Sequence, residues 1–527
     1  MTRAPIEIMM HQAQARPGDV AFVFGEQPWT YERVAIEADR AARGMAASGV
    51  RSGDRVALHM MNRPEYIVAY FACFRIGAIA VPLRTAFKFA ELAPLLQRLR
   101  PALYIGEPDL YENVAPLDTS VLPEERRFIV GAEGDVGPTW EELCEAGSDI
   151  ELLAFADAER PAVLITTSGT TGEPKLVVHT PTSLACSMHL MSSNWEWFQE
   201  DVMTLPLPLA HMSGLAVFLT LYHLGATFVL LESFDANVVL DAIERHRCTV
   251  NLGFPAHYAA MLASQRVRPR DLRSLRACYT GGDVCPTDLQ IQIGASFGAS
   301  LHNVWAATEV CGTLASSRRP GPVVRIVDDT QILLIADEGH EAAEGETGEL
   351  LVRGRNLFAG YWENPEATAQ SLEGGWYHTG DLMRRRGDEL EFVGRKKDII
   401  IRGGTNISPV EVEEAIAAAH PMVEEAAVAG IPDPVLGQRV VGFVKLADGA
   451  DASVVAEIRR NLEARLAVYK IPEHIAVLDA LPRTALGKVD RTALQKMVSN
   501  ADIARGPEKS GEPPQYPAKR LRRASTS

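Results

Sequence analysis

Residues 162–178 read Ala162-Val163-Leu164-Ile165-Thr166-Thr167-Ser168-Gly169-Thr170-Thr171-Gly172-Glu173-Pro174-Lys175-Leu176-Val177-Val178. The apolar, β-branched ends predict two short strands, and the middle predicts the loop between them. Five hydroxyls and two glycines precede the lysine within ten residues. Glycines admit left-handed backbone, so successive N–H groups can converge on an anion, while the hydroxyls add donors and Lys175 adds charge. This is the chemistry of a triphosphate cradle. It is not a Walker A loop, because Pro174 disfavours helical geometry at Glu173 and no helix follows. A Ser/Thr/Gly-rich surface hairpin is the alternative that this segment alone leaves open.

Working outward, helical periodicity alternates with short apolar strands. Trp29 to Ser48 and Pro64 to Ile76 read as helices, and Arg55 to Leu58 and Ala80 to Pro82 as strands. The pattern predicts an α/β fold: a large, multi-subdomain N-terminal domain of layered sheets over residues 1–394. Leu215 to Leu231 is the most apolar stretch, but Thr220, Tyr222, His223 and Gly225 make it a buried helix and strand rather than a membrane span. Residues 395–398 read as a hinge, and residues 399–500 as a small, mobile α+β domain. In the latter, Ser408-Pro409-Val410-Glu411 forms a capping box that opens a helix to about Ala419. Residues 501–527, rich in Pro, Gly, Ser and basic residues, read as a disordered tail.

The 527-residue chain is 47% apolar and 23% charged, as soluble globular proteins are. Its formal charge of −16 argues against general attraction to nucleic acid or anionic membranes, so any phosphate site must be built locally. Seven scattered cysteines without a Cys-x-x-Cys suggest reduced thiols in a cytoplasmic protein, not disulfides or zinc.

Four distant motifs bear on the loop. Thr308-Glu309 offers a hydroxyl and a carboxylate able to hold Mg²⁺, although such a pair also starts many helices. Trp376-Tyr377-His378-Thr379-Gly380-Asp381 places an aspartate after a glycine turn, where its oxygens can accept both hydroxyls of a ribose; a plain turn aspartate is the alternative. Gly394-Arg395 supplies a guanidinium for phosphate or ribose oxygens, or an ordinary surface arginine. Leu481-Pro482-Arg483-Thr484-Ala485-Leu486-Gly487-Lys488 carries a lysine on a glycine-bearing loop, which in isolation would be solvent-exposed.

Together these segments resemble the adenylate-forming (ANL) superfamily of acyl-CoA synthetases, peptide-synthetase adenylation domains and beetle luciferases, over residues 5 to 498. The resemblance implies that a carboxylate and ATP give an acyl-adenylate and pyrophosphate, after which a thiol displaces AMP. It assigns Lys488, Thr308 and Glu309 to catalysis, with Glu309 on Mg²⁺. Thr167, Ser168, Gly169, Thr170, Thr171, Gly172, Lys175, Gly281, Gly282, Trp305, Asp381 and Arg395 are assigned to ATP, with Trp305 beside the adenine. His211, Asp283, Ala307 and Cys311 are assigned to the acyl pocket. Gly403, Gly404 and Thr405 would line a CoA tunnel, and Lys397 would be the hinge about which the small domain turns between the two half-reactions.

Departures from the family pattern include Trp305-Ala306 for Tyr-Gly, Leu176 after the lysine, Asp283 after the paired glycines, and the segment 310–321. Asp283 either meets a polar group on the acid or caps the segment from Pro286. The expected activity is an AMP-forming carboxylic acid–CoA ligase for a small aromatic, alicyclic or short-to-medium-chain acid, using ATP, Mg²⁺ and CoA. Its partners are those small molecules, without nucleic acid or a membrane span, and a homodimer is an allowed assembly. Two alternatives remain: an enzyme loading a carrier protein's pantetheine, and a catalytically weakened homologue that binds or regulates.

Overall fold

The computed structural model describes residues 3–131, 137–152, 157–167, 175–327, 330–403, 405–433, 435–450, 453–484 and 488–499. The chain divides into two compact units, one of residues 1–398 with the short stretch 485–488, the other of residues 399–484 and 489–527.

In the first unit the strands predicted on either side of the glycine-rich loop are present. Val163–Thr167 and Lys175–His179 pair antiparallel, with Thr167 opposite Lys175 at the loop end. They belong to a seven-stranded sheet ordered Gly360–Tyr361, Lys175–His179, Val163–Thr167, Ile79–Pro82, Arg55–His59, Leu103–Gly106, Arg127–Ile129. From Val163–Thr167 onward that sheet is parallel, and Ile79–Pro82 and Leu103–Gly106 are buried throughout, as strands covered on both faces must be.

A second sheet has 14 strands. Its parallel half runs from Val20–Phe24 through Thr227–Leu230, Val202–Leu205, Val250–Gly253 and Ala277–Gly281 to Ser300–Ala307, and antiparallel strands continue beyond. Helix Pro64–Ile76 is buried at every residue from Tyr66 to Phe74, and helix Met212–Leu224 at every residue from Gly214 to Tyr222. Helices apolar on all sides have no solvent face, so they fill the space between the layers. One core cluster accordingly joins Leu58 and Ala80 of the first sheet, Phe71 and Phe218 of the helices, and Phe228 and Tyr279 of the second sheet. The apolar stretch around Leu215 to Leu231 is the expected buried unit: Gly225, at φ 74°, ends the helix before Thr227–Leu230.

The second unit is a five-stranded sheet in which Val423–Asp433 and Gly437–Leu446 pair antiparallel and His474–Val477 runs parallel to the latter. Helix Pro409–Ala417 starts where predicted, with the Ser408 hydroxyl accepting from the Glu411 N–H at 3.2 Å. Helix Ser453–Glu463 follows, and Arg491–Ser499 is the last described helix.

Arg127 is a test of what holds the first unit together. Its side chain is 1% exposed, and it donates to the carbonyls of Ala115, Leu117 and Leu122, with no ion pair among the described residues. It thereby ties down an irregular segment, 115–122, whose carbonyls no sheet ladder serves. Arg127→Met keeps the apolar bulk but orphans those carbonyls, so about 2–4 kcal/mol of stability should be lost. Urea unfolding measures this; a loss below about 1 kcal/mol would mean that water replaces the guanidinium.

Candidate active site

The site starts from a three-residue 3₁₀ turn, Thr308–Val310, in place of the α-helix start that a Thr-Glu pair also signals. A turn so short cannot satisfy its own carbonyls, and separate segments do so. His179 Nε2 lies 2.8 Å from the Thr308 oxygen, the Phe358 N–H donates to the Glu309 oxygen at 2.8 Å, and the Asn356 amide donates to the Val310 oxygen at 3.0 Å. Burial lowers the His179 pKa to about 4, so the ring is neutral and its Nε2 proton is the one given to Thr308. The Glu309 side chain is held separately, by a 3.1 Å hydrogen bond from the Tyr361 hydroxyl to Oε1. Turn and carboxylate are thus fixed, while Oε2 has no hydrogen bond among the described residues. A preset carboxylate beside the Thr308 hydroxyl is a donor set that suits a hard divalent cation.

Asp381 was expected after a glycine turn; it lies inside strand Trp376–Arg386, with Gly380 at φ 70° just before it. Arg395 stands opposite it in the antiparallel ladder, with its Nε 3.2 Å from Oδ1. The Thr379 hydroxyl donates to the Leu350 carbonyl at 2.7 Å and accepts from the Asp381 N–H at 3.0 Å, which fixes the kink. Oδ2 accepts from the Trp305 indole N–H at 2.7 Å. Burial raises the Asp381 pKa above the usual carboxylate value, while Arg395 and the indole act in the other direction.

These groups border a cavity of about 600 Å³, within the range of small-molecule sites. Thr167, Lys175, Thr308, Glu309, Asp381 and Lys488 supply its polar part, whereas Met191, Met212, Ala216, Val217 and Val304 supply an apolar part. Lys175 lies over the Tyr361 ring, 4.7 Å from its centre. Gly281 and Gly282 line the cavity as well. A Cβ on Gly281 would stand 2.4 Å from Val304 Cγ2, and Gly282 has φ 80°, so both positions require glycine.

His211 borders the cavity and accepts the Ser213 N–H at Nδ1, which leaves its proton on Nε2. Burial, then the charges of Arg84 and Lys488, lower its pKa to about 3, so it is a neutral donor.

Not every expected residue is there. Strand Ser300–Ala307 lines the cavity with Val304, Ala306 and Ala307, whereas Trp305, 9% exposed, joins the apolar cluster of Val310, Leu334 and Tyr377. Alternation along a strand turns neighbouring side chains to opposite faces, which places the indole behind the wall instead of along it. Cys311 is fully buried with its sulfur 3.9 Å from that of Met212, so it backs the wall as well. Asp283 does not border the cavity, nor does it cap helix Thr287–Phe297; its carboxylate accepts the N–H of Val284. Lys397 borders the cavity. Gly403, at φ 56°, follows strand Ile400–Arg402, and Thr405 opens strand Thr405–Ile407, its antiparallel partner in the second unit. Ser168, Gly169, Thr170, Thr171, Gly172 and Gly404 lie outside the described residues.

Sequence reading passed over Arg84, His179, Asn356 and Tyr361. Arg84 borders the cavity and donates to the Thr166 carbonyl at 2.9 Å, with no ion pair among the described residues. A charge facing a nucleotide-sized cavity was not signalled by Pro82-Leu83-Arg84-Thr85, which reads as a strand end.

Comparison with known proteins gives this arrangement a family. Residues 9–362 match the AMP-binding enzyme family, and residues 411–488 match the AMP-binding enzyme C-terminal domain. The indoleacetate–CoA ligase of Aromatoleum aromaticum is 34% identical over 500 residues, covering 92% of this chain and 96% of that protein. The medium-chain fatty-acid–CoA ligase of Escherichia coli is 32% identical, with 92% and 88% covered. Among solved structures, an anthranilate CoA ligase in complex with anthranoyl-AMP superposes with a TM-score of 0.89 at 26% identity, covering 95% of this chain and 98% of that one. With both the long and the short domain matched in order, and full-length ligases alike across nine-tenths of the chain, the protein belongs to the AMP-binding enzyme family of the adenylate-forming superfamily.

Proposed function

We infer that the protein is an AMP-forming carboxylic acid–CoA ligase, which activates its acid as an acyl-adenylate and then transfers the acyl group to CoA. The observation that carries this reading is one cavity bordered by Lys488, the Thr308-Glu309 turn and the Asp381–Arg395 pair on its polar side and by Met191, Met212, Ala216 and Val217 on its apolar side. ATP and an acid are both anionic, and their approach needs fixed positive charge where they meet. We assign that charge to Lys488. Thr308 is assigned to the α-phosphate, Asp381 and Arg395 to the ribose, and Thr167 and Lys175, with the intervening loop, to the departing pyrophosphate. Glu309 would hold Mg²⁺, which supplies charge neutralisation at the phosphates. His211 offers an uncharged hydrogen bond from Nε2 to the acid's carboxylate. Gly403, Gly404 and Thr405 remain assigned to CoA and Lys397 to the hinge.

The apolar side favours an uncharged acyl group, and the relatives act on indoleacetate and medium-chain fatty acids by name. Small aromatic and medium-chain acids are the proposed class. Seven cysteines, none of them in a disulfide, support a cytoplasmic setting. Acid-dependent exchange of labelled pyrophosphate into ATP, run across indoleacetate, ferulate, benzoate and C6–C12 acids, tests the reading. No exchange with any acid would favour a binding or regulatory homologue. Exchange followed by transfer only to a carrier protein's pantetheine, not to CoA, would replace the ligase assignment.

A further inference from the structure

Trp305 Nε1 and Asp381 Oδ2 are 2.7 Å apart, although their strands, Ser300–Ala307 and Trp376–Arg386, stand four ladders from each other in the large sheet. The sheet therefore curls until its two regions face each other across the apolar cluster holding Trp305, Leu334, Leu350, Tyr377 and Met383. An indole N–H only donates, so in this buried setting it needs an acceptor, and the carboxylate provides one. Asp381 borders the cavity and Trp305 does not, so the hydrogen bond reaches the carboxylate from behind.

We propose that Trp305 is a positioning residue for the nucleotide, holding the Asp381 carboxylate from outside the cavity so that its remaining lone pairs accept the ribose hydroxyls. This rests on the reading of Asp381 as the ribose acceptor. It also departs from the expectation that the aromatic ring at this position lies against the adenine. A carboxylate with two oxygens offers about four acceptor sites. The indole takes one on Oδ2, whereas Arg395 faces Oδ1 as an ion pair and Oδ1 accepts no hydrogen bond among the described residues, so acceptor sites on both oxygens remain for the ribose. The charges around the carboxylate are those of Arg395, Lys488 and Asp398, with the Tyr377 phenol beside it. Since burial alone pushes Asp381 toward its neutral form, loss of the indole N–H moves its titration further upward.

The test compares Trp305→Phe, Asp381→Ala and the double variant by pyrophosphate exchange at saturating acid. Trp305→Met serves as a second replacement without an N–H, and thermal melts confirm that each variant is folded. Trp305→Phe should raise KM for ATP about tenfold, the worth of one hydrogen bond to a charged group, with KM for the acid unchanged. The double variant should match Asp381→Ala. With 2′,3′-dideoxyATP, which lacks both hydroxyls, Trp305→Phe and the parent should have the same KM. The acid limb of the ATP KM profile should move to higher pH in Trp305→Phe. If Asp381→Ala raises KM for ATP but Trp305→Phe and Trp305→Met do not, the positioning role is overturned and the ribose reading stands. If the two losses multiply in the double variant, or dideoxyATP is affected equally, the indole acts on the base and the proposal also fails. An unchanged KM for ATP in Asp381→Ala would overturn the ribose reading and, with it, this inference.

Discussion

Lys488→Ala should reduce acid-dependent pyrophosphate exchange by about 10³-fold while leaving thioester formation from synthetic acyl-adenylate and CoA within about threefold of the parent. In the first half-reaction a carboxylate attacks an anionic α-phosphate, whereas in the second a sulfur attacks the uncharged acyl carbonyl, so a cation between carboxylate and phosphate stabilises chiefly the first transition state. Lys488 is half-buried at the cavity. Burial, followed by the charge of Arg395, lowers its pKa below the ordinary lysine value, with Asp283 and Asp381 opposing and Lys397 adding to the shift. The sign of the pH effect follows. The protonated form is the active one, so the adenylation rate should fall on the alkaline side, at a pH below that of an unperturbed lysine. Lys488→Arg cannot lose its proton, and whatever activity it keeps should lack that limb. Equal loss of both half-reactions in Lys488→Ala would sink the assignment.

How much of this was legible beforehand depended on whether a residue acts through its own side chain at a fixed spacing. The strand, loop, strand reading of 162–178 followed from β-branched runs and Pro174, and Val163–Thr167 and Lys175–His179 are those strands. Lys488, Thr308, Glu309 and Asp381 stood in recognisable local patterns, and all four border one cavity. The order of the 14-stranded sheet was not legible, because pairing between strands hundreds of residues apart leaves no local trace. The supports of the Thr308 turn were also missed: His179, Asn356 and the Phe358 N–H reach backbone carbonyls, which any sequence presents alike. Trp305 was legible as an aromatic but misread in direction. Strand alternation relative to Val304 and Ala306 gives the correct side once that strand is taken as the cavity wall.

The carboxylate of Glu309 gives the second large effect. Glu309→Gln keeps the side chain's shape, and the amide oxygen can still accept from Tyr361, so the turn should stay in place while the charge is lost. Pyrophosphate exchange at about 1 mM Mg²⁺ should fall about 10²-fold, because a carboxylate is a far better ligand than an amide for a hard divalent cation. The distinguishing measurement is the Mg²⁺ dependence. If Glu309 acts by holding the ion, the concentration giving half-maximal exchange should rise tenfold or more, and high Mg²⁺ should restore part of the rate. Tyr361→Phe provides the matching control, since it frees the carboxylate without removing its charge. Its loss should be about tenfold, the worth of one hydrogen bond to a charged group, and should have the same Mg²⁺ signature. A Glu309→Gln enzyme with a depressed rate but an unaltered Mg²⁺ requirement would show that the charge serves the turn rather than the cation, and the metal would have to be assigned to other oxygens of the cavity.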